Sequence, residues 1–424
     1  MIGVVADDTT GANDIGIMFV NGGYTAKVVT FNEHAYTMEN GASDVLILDT
    51  DSRLDSPEES YRKVFEATNQ LMKMGCTTFF NKTCSVFRGN VGKELDAMMD
   101  ATGEDFAVII LAFPKNGRTT RNAIHQVNGV LLEQTPFSRD PVHPMLQSNL
   151  VEILQRQTSR QVESISIDTV RNGAEELRQM IDRLKDRCIY CIIDGETQED
   201  LRIIAEAVSD LKVIAGSSAI AEELPKFMGA SQTDNPLHGL EIRDRCGVLV
   251  ISGSLTPNTL QQTAYFIHIG KPVIILDSRR IFSSDREEEI MRVIREAQPL
   301  LESGFDVLVM ADNSDKVVEQ TKALGEQQGM DPLATSKLVS AALAEVAKRL
   351  VDNTGLRRLV VAGGDTSGTV SRKLGFTGNY VLKEIETGVP SGLSLGHEML
   401  IVLKSGSYGK PEFLDKAVNH LKEF

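Results

Sequence analysis

Ile2-Gly3-Val4-Val5-Ala6-Asp7-Asp8-Thr9-Thr10-Gly11-Ala12-Asn13-Asp14 passes from a short apolar run straight into carboxylates, hydroxyls and a glycine. Such a run, bounded by turn formers, reads as a buried strand, and the Asp-Asp-Thr-Thr-Gly after it reads as a helix start. The arrangement recurs near the other end, where Leu359-Val360-Val361-Ala362 leads into Gly363-Gly364-Asp365-Thr366-Ser367-Gly368. A strand that ends at a helix N-terminus presents backbone N–H groups able to hold a carboxylate or a phosphate. Two such turns predict two anionic ligands.

Between them, β-branched runs alternate with amphipathic stretches. Strands are predicted at 2–6, 26–30, 45–49, 77–82, 107–112, 188–194, 247–252, 272–276, 306–311, 358–362 and 399–404, and helices at 58–74, 92–101, 171–185, 198–210 and 337–351. The alternation predicts an α/β fold with mainly parallel sheets flanked by helices. At 424 residues the chain is long enough for two domains. The stretch 230–245 lacks a clear period and is rich in turn formers, so it is the predicted boundary and hinge between a domain of residues 1–230 and one of residues 245–424.

Hydrophobic residues at 42% and charged residues at 24% are those of a globular chain. A formal charge of −15 without a basic run argues against a nucleic-acid partner, and any anion site must supply its own cations and N–H donors. No apolar run approaches the roughly 18 residues of a membrane span, and no basic, then apolar leader opens the chain. A cytoplasmic protein with no membrane partner is expected. The five cysteines form no disulfide framework, and the Cys188-Ile-Tyr-Cys191 spacing falls inside a predicted strand, with no second pair to complete a zinc site. The seven histidines show neither HxH nor HExxH spacing.

In open α/β sheets ligands sit beyond the carboxyl ends of the strands. In the first half those positions hold Asp7-Asp8, Asp49 to Arg53, Asn81 to Ser85 and Phe113 to Arg118, a set suited to a small, polyhydroxylated anion. Of Asp7 and Asp8, one is expected to cap the helix and the other to face the ligand; Asp7 is assigned the cap and Asp8 the ligand. Arg53, Lys82 and Arg88 are the candidate counter-cations. In the second half the positions are Ser252-Gly253-Ser254, Gly363 to Gly368 and Lys404 to Gly409, three small-residue turns that together suit a polyphosphate. Neither GxxxxGK[ST] nor GxGxxG is present, which leaves no fingerprint for a dehydrogenase.

At these residues the chain resembles the four-carbon acid sugar kinase family, whose members phosphorylate D-threonate, D-erythronate or 3-oxo-tetronate with ATP. The matching stretches run the whole length: Ala6 to Asp14, Asp49-Thr-Asp-Ser-Arg53, Lys82-Thr-Cys-Ser-Val-Phe-Arg-Gly-Asn90, Phe113 to Arg118, Arg139-Asp140-Pro141, Gly216-Ser-Ser218, Ser252-Gly-Ser254, Gly363 to Gly368, Gly388-Val-Pro390 and Leu403-Lys-Ser-Gly406. The resemblance implies a sugar-acid-binding domain followed by a nucleotide-binding domain, with the active site in the cleft between them. It implies that Asp8, Arg53, Asn81, Lys82, Thr83 and Cys84 contact the sugar acid. Ser254, Gly363, Gly364, Asp365, Thr366, Ser367 and Gly406 would contact ATP.

One departure stands out: many relatives read Lys-Ile-Asp-Ser-Thr-Leu-Arg-Gly-Asn where this chain has Cys84 in place of the acid. The Arg88-Gly89-Asn90 ending resembles the threonate and erythronate kinases more than the oxo-tetronate branch, and D-threonate is the expected substrate. The expected reaction is transfer of the ATP γ-phosphoryl group to the 4-hydroxyl, with Mg²⁺ bridging phosphate oxygens. Arg53 and Lys82 would hold the substrate carboxylate. Asp8 is the first candidate to orient or deprotonate the hydroxyl; Asp365 is the second, or a holder of Mg²⁺. D-erythronate and 3-oxo-tetronate remain alternative substrates, a kinase for another alcohol and a non-catalytic sugar-acid sensor are the rival readings, and a homodimer is the default assembly.

Overall fold

The computed structural model describes residues 1–32, 43–140, 142–231, 233, 242 and 244–424. Pro141 and most of the expected hinge at 230–245 lie outside the described residues. The chain divides into two units, Met1–Pro236 and Leu237–Phe424.

The first unit is built on eight parallel strands in a sheet: β1 (Ile2–Ala6), β2 (Ala26–Thr30), β3 (Val45–Asp49), β4 (Thr78–Lys82), β5 (Ala107–Ile110), β9 (Val162–Ile165), β10 (Tyr190–Ile193) and β11 (Val213–Gly216). Their order is β2-β3-β1-β4-β11-β5-β10-β9. The central strands read as continuous apolar runs because helices such as Thr9–Asn21, Pro57–Lys73 and Val91–Thr102 shield them from water. Register matters most for function. Ala6 pairs level with Asp49 on one side and Lys82 on the other, and Lys82 is level with Gly216, so four strands end together. Gly216 is obligatory there: its φ is +132°, and a Cβ would lie 1.9 Å from Ile110 O.

Three short strands, β6 (Arg118–Arg121), β7 (Ile124–Val127) and β8 (Val130–Leu131), form a separate antiparallel meander that the strand list above missed. Its second turn is Asn128-Gly129, both at positive φ, a hairpin signal present in the sequence. The helix expected at 171–185 is broken into Ile167–Arg171 and Ala174–Leu184 at Gly173, whose φ is +109°.

The second unit carries seven strands: β12 (Leu249–Ser252), β13 (Val273–Leu276), β14 (Val307–Ala311), β15 (Arg358–Ala362), β16 (Gly378–Glu386), β17 (Val389–Ser394) and β18 (Leu400–Lys404). The order is β13-β14-β12-β15-β18-β17-β16, parallel through β18 and antiparallel over the last two pairings. The period of two along the strands sorts the core. Leu249, Ile251, Leu359 and Val361 pack with Val293, Leu343 and Leu350 of helices Arg286–Glu302 and Pro332–Thr354, while Val250, Val360 and Val402 pack with Phe266, Phe413 and Val418. Here too the ends align, with Ser252 level with Ala362 and Ala362 level with Lys404. No described helix is long and apolar enough to cross a membrane.

Candidate active site

The aligned ends of β1, β3, β4 and β11 gather a dense set of charges. Thr9 opens the helix after β1, and only the residue immediately before it has the extended backbone that brings a carboxylate over the first turn. That residue is Asp8, at φ −152° and ψ 156°, whose Oδ1 accepts from Gly11 N at 2.9 Å. The cap is therefore Asp8 and not Asp7. Asp7 instead lies beneath, with a side chain 1% exposed, and takes Arg53 bidentately: Nε donates to Oδ2 at 2.7 Å and Nη2 to Oδ1 at 2.6 Å. Arg53 Nη2 also donates to Asp8 Oδ1 at 2.7 Å, and Asp8, with its side chain 18% exposed, is the more open of the two.

Lys82 reaches the same place from β4. Its Nζ lies 3.5 Å from Asp14 Oδ2 and donates to Thr83 O at 3.1 Å, while Ser218 Oγ donates to Asp14 Oδ2 at 2.7 Å. Burial alone would raise the Asp8 carboxyl, but Arg53, Lys82, Thr10 and the Gly11 N–H outweigh it and hold it below the ordinary range. Burial wins at Asp14, which is raised despite Lys82 and Ser218. Asp8 is thus an ionised acceptor beside two cations, chemistry suited to orienting a hydroxyl.

The remaining residues expected at this site spread around that centre. Asn81 is 1% exposed, and its Oδ1 has no hydrogen-bond partner among the described residues. Thr83 is fully buried, with its N–H on Gly216 O at 2.9 Å. Cys84 is buried as well; burial would push its thiol up, yet Arg88 and Arg53 together hold it below the usual thiol range. Arg88 turns toward another loop, where it pairs with Asp140 and lies 5.5 Å from the centre of the Phe137 ring. A cavity of about 290 Å³ borders Phe87, Gly89, His143 and Arg156. It adjoins the carboxylate cluster through His143, whose Nε2 is 2.8 Å from Arg53 O, rather than enclosing it.

In the second unit the three small-residue turns converge. A Cβ on Gly406 would lie 2.7 Å from Ser254 Oγ, one on Gly363 would lie 3.1 Å from Ser254 Cβ, and one on Gly253 would lie 2.5 Å from Thr366 Oγ1. Gly363, at φ +121°, immediately precedes the helix Gly364–Leu374, whose N-terminus has no side-chain cap. Thr366 and Ser367 point inward: Thr366 Oγ1 lies 3.3 Å from Ser340 Oγ, Ser367 Oγ donates to Val361 O at 3.3 Å, and Ser367 N closes the first helical turn on Gly363 O at 2.8 Å, so the N–H groups that the first turn can offer a ligand are those before Ser367. Asp365 is exposed on the first turn. Among the described residues no three His, Cys, Asp or Glu side chains are grouped to hold a metal.

Site-level reasoning from sequence missed the pairing of Lys82 with Asp14, the Ser218 hydroxyl that donates to Asp14, and the contact of Lys404 with Thr259 behind the Gly406 turn. Lys404 carried a signal: it is a cation ending the apolar run Leu400-Ile401-Val402-Leu403, where a parallel strand ought to be buried.

One α/β unit with a charged cluster at its strand ends and a second with converging glycine turns at its own is the layout that the family models describe as a sugar-binding domain followed by a nucleotide-binding domain. Residues 2–224 match the family model of a sugar-binding N-terminal domain, and residues 249–414 match that of a nucleotide-binding C-terminal domain. The chain belongs to the four-carbon acid sugar kinase family. It is 31% identical to a protein named 3-oxo-tetronate kinase from Pseudomonas savastanoi pv. phaseolicola, covering 99% of this chain and 97% of the relative. A protein of the same name from Burkholderia multivorans is 32% identical over 99% of this chain and 97% of its own. The solved structure of a Haemophilus influenzae protein superposes with a TM-score of 0.76 at 28% identity, covering 99% of this chain and all of that one.

Proposed function

We propose that the protein transfers the γ-phosphoryl group of ATP, bound on the second unit, to the terminal hydroxyl of a four-carbon sugar acid bound on the first. The observation that carries this reading is the pairing, in one chain of this family, of an ionised Asp8 flanked by Arg53 and Lys82 with a convergence of Gly253, Gly363 and Gly406 that only glycine permits. Phosphoryl transfer has a loose transition state and needs positioning and charge stabilisation more than proton removal. Asp8, held ionised by two cations, is a weak base but a good acceptor for the attacking hydroxyl. Lys82, the remaining Arg53 Nη1 and the unpartnered Asn81 Oδ1 supply the donors and acceptor for the carboxylate and hydroxyls of the acid.

On the second unit, backbone N–H groups at Gly364, Asp365 and Gly406 receive the phosphates, and Ser254 adds a hydroxyl. Mg²⁺ binds proteins through one or two carboxylates plus substrate phosphates, so the Asp365 carboxylate on the first turn of the helix at the phosphate turn fits that ion, which would neutralise charge on the nucleotide oxygens. Asp365 is the residue that would hold it.

The relatives' names favour a 3-oxo-tetronate as substrate. D-Threonate stands beside it on the resemblance of the Arg88-Gly89-Asn90 ending, and Cys84, beside Arg88 and Arg53, is the position where the charge offered to the substrate departs from the family pattern. The deciding experiment follows ADP release with Mg²⁺ across the 3-oxo-tetronates and both stereoisomers of threonate and erythronate. Turnover of one acid identifies the substrate. Failure of every acid, with ADP still bound, would sink the sugar-acid reading.

A further inference from the structure

Lys404 is a cation where none is expected. It ends β18 with a side chain that is 0% exposed, and no carboxylate lies within ion-pair distance of it among the described residues. Its Nζ instead donates to Ser405 O at 2.7 Å, Tyr408 O at 3.0 Å, Thr259 Oγ1 at 3.2 Å and Gly406 O at 3.4 Å. Thr259 and Thr256 reinforce the same carbonyl, their hydroxyls donating to Gly406 O at 3.0 and 2.5 Å. A trans peptide points its C=O and N–H in opposite directions. Carbonyls 405, 406 and 408 drawn onto the ammonium therefore send the N–H groups of residues 406, 407 and 409 away from it. Successive N–H groups exposed on a turn form an anion-binding concavity.

We propose that Lys404 is the positioning residue of the phosphate turn, its ammonium locking the carbonyls of Ser405, Gly406 and Tyr408 inward so that the opposed N–H groups face the nucleotide's phosphates, whose charge then balances its own. The proposal rests on the nucleotide reading of this unit and deepens it. An isolated buried ammonium is unfavourable, and burial pushes that of Lys404 down to about 7. Around it among the described residues are the Thr259 hydroxyl on helix Pro257–His268, the Thr256 hydroxyl, which shares the Gly406 carbonyl with it, the Tyr408 carbonyl, which Gln262 Nε2 also holds at 2.9 Å, and Glu386 on β16 at longer range. Glu386 is already engaged by Lys416 Nζ at 2.7 Å and Lys410 N at 2.9 Å. A polyphosphate is the counter-charge this surrounding lacks, so its binding should draw a proton onto Lys404.

The test is calorimetric titration of the full chain with ADP from about pH 7.5 to about 9.5, where phosphate monoesters are fully ionised. Kd should rise at least about tenfold over that range, with proton uptake revealed by different heats in phosphate and Tris buffers. Lys404→Met should bind ADP at least about tenfold more weakly at pH 7.5, show a pH-independent Kd and leave sugar-acid affinity unchanged. A wild-type Kd flat in pH without proton uptake, or wild-type ADP binding by K404M, would overturn the proposal. The wild-type arm decides even if the variant fails to fold. Absence of ADP binding at every pH would overturn the nucleotide reading itself.

Discussion

The two ligand-facing clusters of this protein handle charge in opposite ways. At the ends of β1 and β4, Arg53 and Lys82 are matched by Asp7, Asp8 and Asp14 within 3.5 Å. At the end of β18, Lys404 is buried among carbonyls and hydroxyls, with no carboxylate in ion-pair contact among the described residues. A matched cluster is rigid and selective, because a ligand must offer better hydrogen bonds than the ones already made. An unmatched cation is a site waiting for an anion of any shape that fits the turn. The difference suits one unit that discriminates among small hydroxy acids and another that accepts a common phosphate donor.

The largest effect is expected from removing one charge of the matched set. Asp8→Asn preserves the helix cap, since Asn caps as well as Asp, but weakens the acceptor for the attacking hydroxyl. Turnover should fall about a hundred- to ten-thousand-fold, with the Kd for ADP within about twofold of wild type. Steady-state kinetics alongside ADP titration checks both halves. Wild-type kcat in this variant would remove Asp8 from the reaction and leave it a cap.

Next comes Arg53→Met, which leaves the Asp7 carboxylate, 1% exposed, without its bidentate partner. Stripping one member from a buried ion pair costs about 3–5 kcal/mol. Denaturant midpoints should show that loss, and the double variant Asp7→Asn, Arg53→Met should recover most of it. An undiminished midpoint would mean that the match at the end of β1 is loose, and the contrast with Lys404 would fail.

How far the sequence discloses these clusters follows from what each rests on. All eleven strands expected from apolar runs exist, within two residues at each end; a strand buried on both faces needs an unbroken run of apolar residues, and all but the edge strand Val273–Leu276 are largely buried. Seven of the described strands were not expected, β6 to β9, β11, β16 and β17, and their patterns are diluted or interrupted: Val162-Glu-Ser-Ile165 at the sheet edge is half polar, Val213-Ile-Ala-Gly216 merges with the apolar stripe of the helix before it, and the antiparallel pair Gly378–Glu386 and Val389–Ser394 mixes charged, small and proline residues with its apolar ones. Arg53 and Lys82 were visible as cations just past strands. Their pairing with Asp7 and Asp14 was not, since it depends on the register of β1 against β3 and β4 rather than on local spacing. The assignment of the cap to Asp7 failed for a similar reason: adjacent carboxylates differ only in which one the first helical turn selects. Lys404 was placed at the head of the third turn, but its burial behind that turn was not read, because a lysine is ordinarily taken for a solvent-facing residue.

The smallest effect sharpens the comparison from behind the matched cluster. Glu94, 2% exposed on helix Val91–Thr102, accepts from Ser52 Oγ at 2.8 Å and Ser60 Oγ at 2.6 Å through the same oxygen, Oε1. Burial, with the nearby Asp7 carboxylate adding to it, pushes the Glu94 carboxyl up to about 7 against an unfolded value of about 4.3. Between those values the folded chain holds a proton that the unfolded chain has released, so this group's stabilisation is full below the unfolded value and is lost as pH rises through about 7. Glu94→Gln keeps an oxygen for both serines and cannot titrate. Denaturation midpoints followed from about pH 4.5 to about 8.5 should diverge in the variant's favour up to about pH 7, then run parallel. Parallel midpoints throughout would show that Glu94 is ionised like an exposed carboxyl, and that the negative charge behind Arg53 is larger than the matched cluster implies.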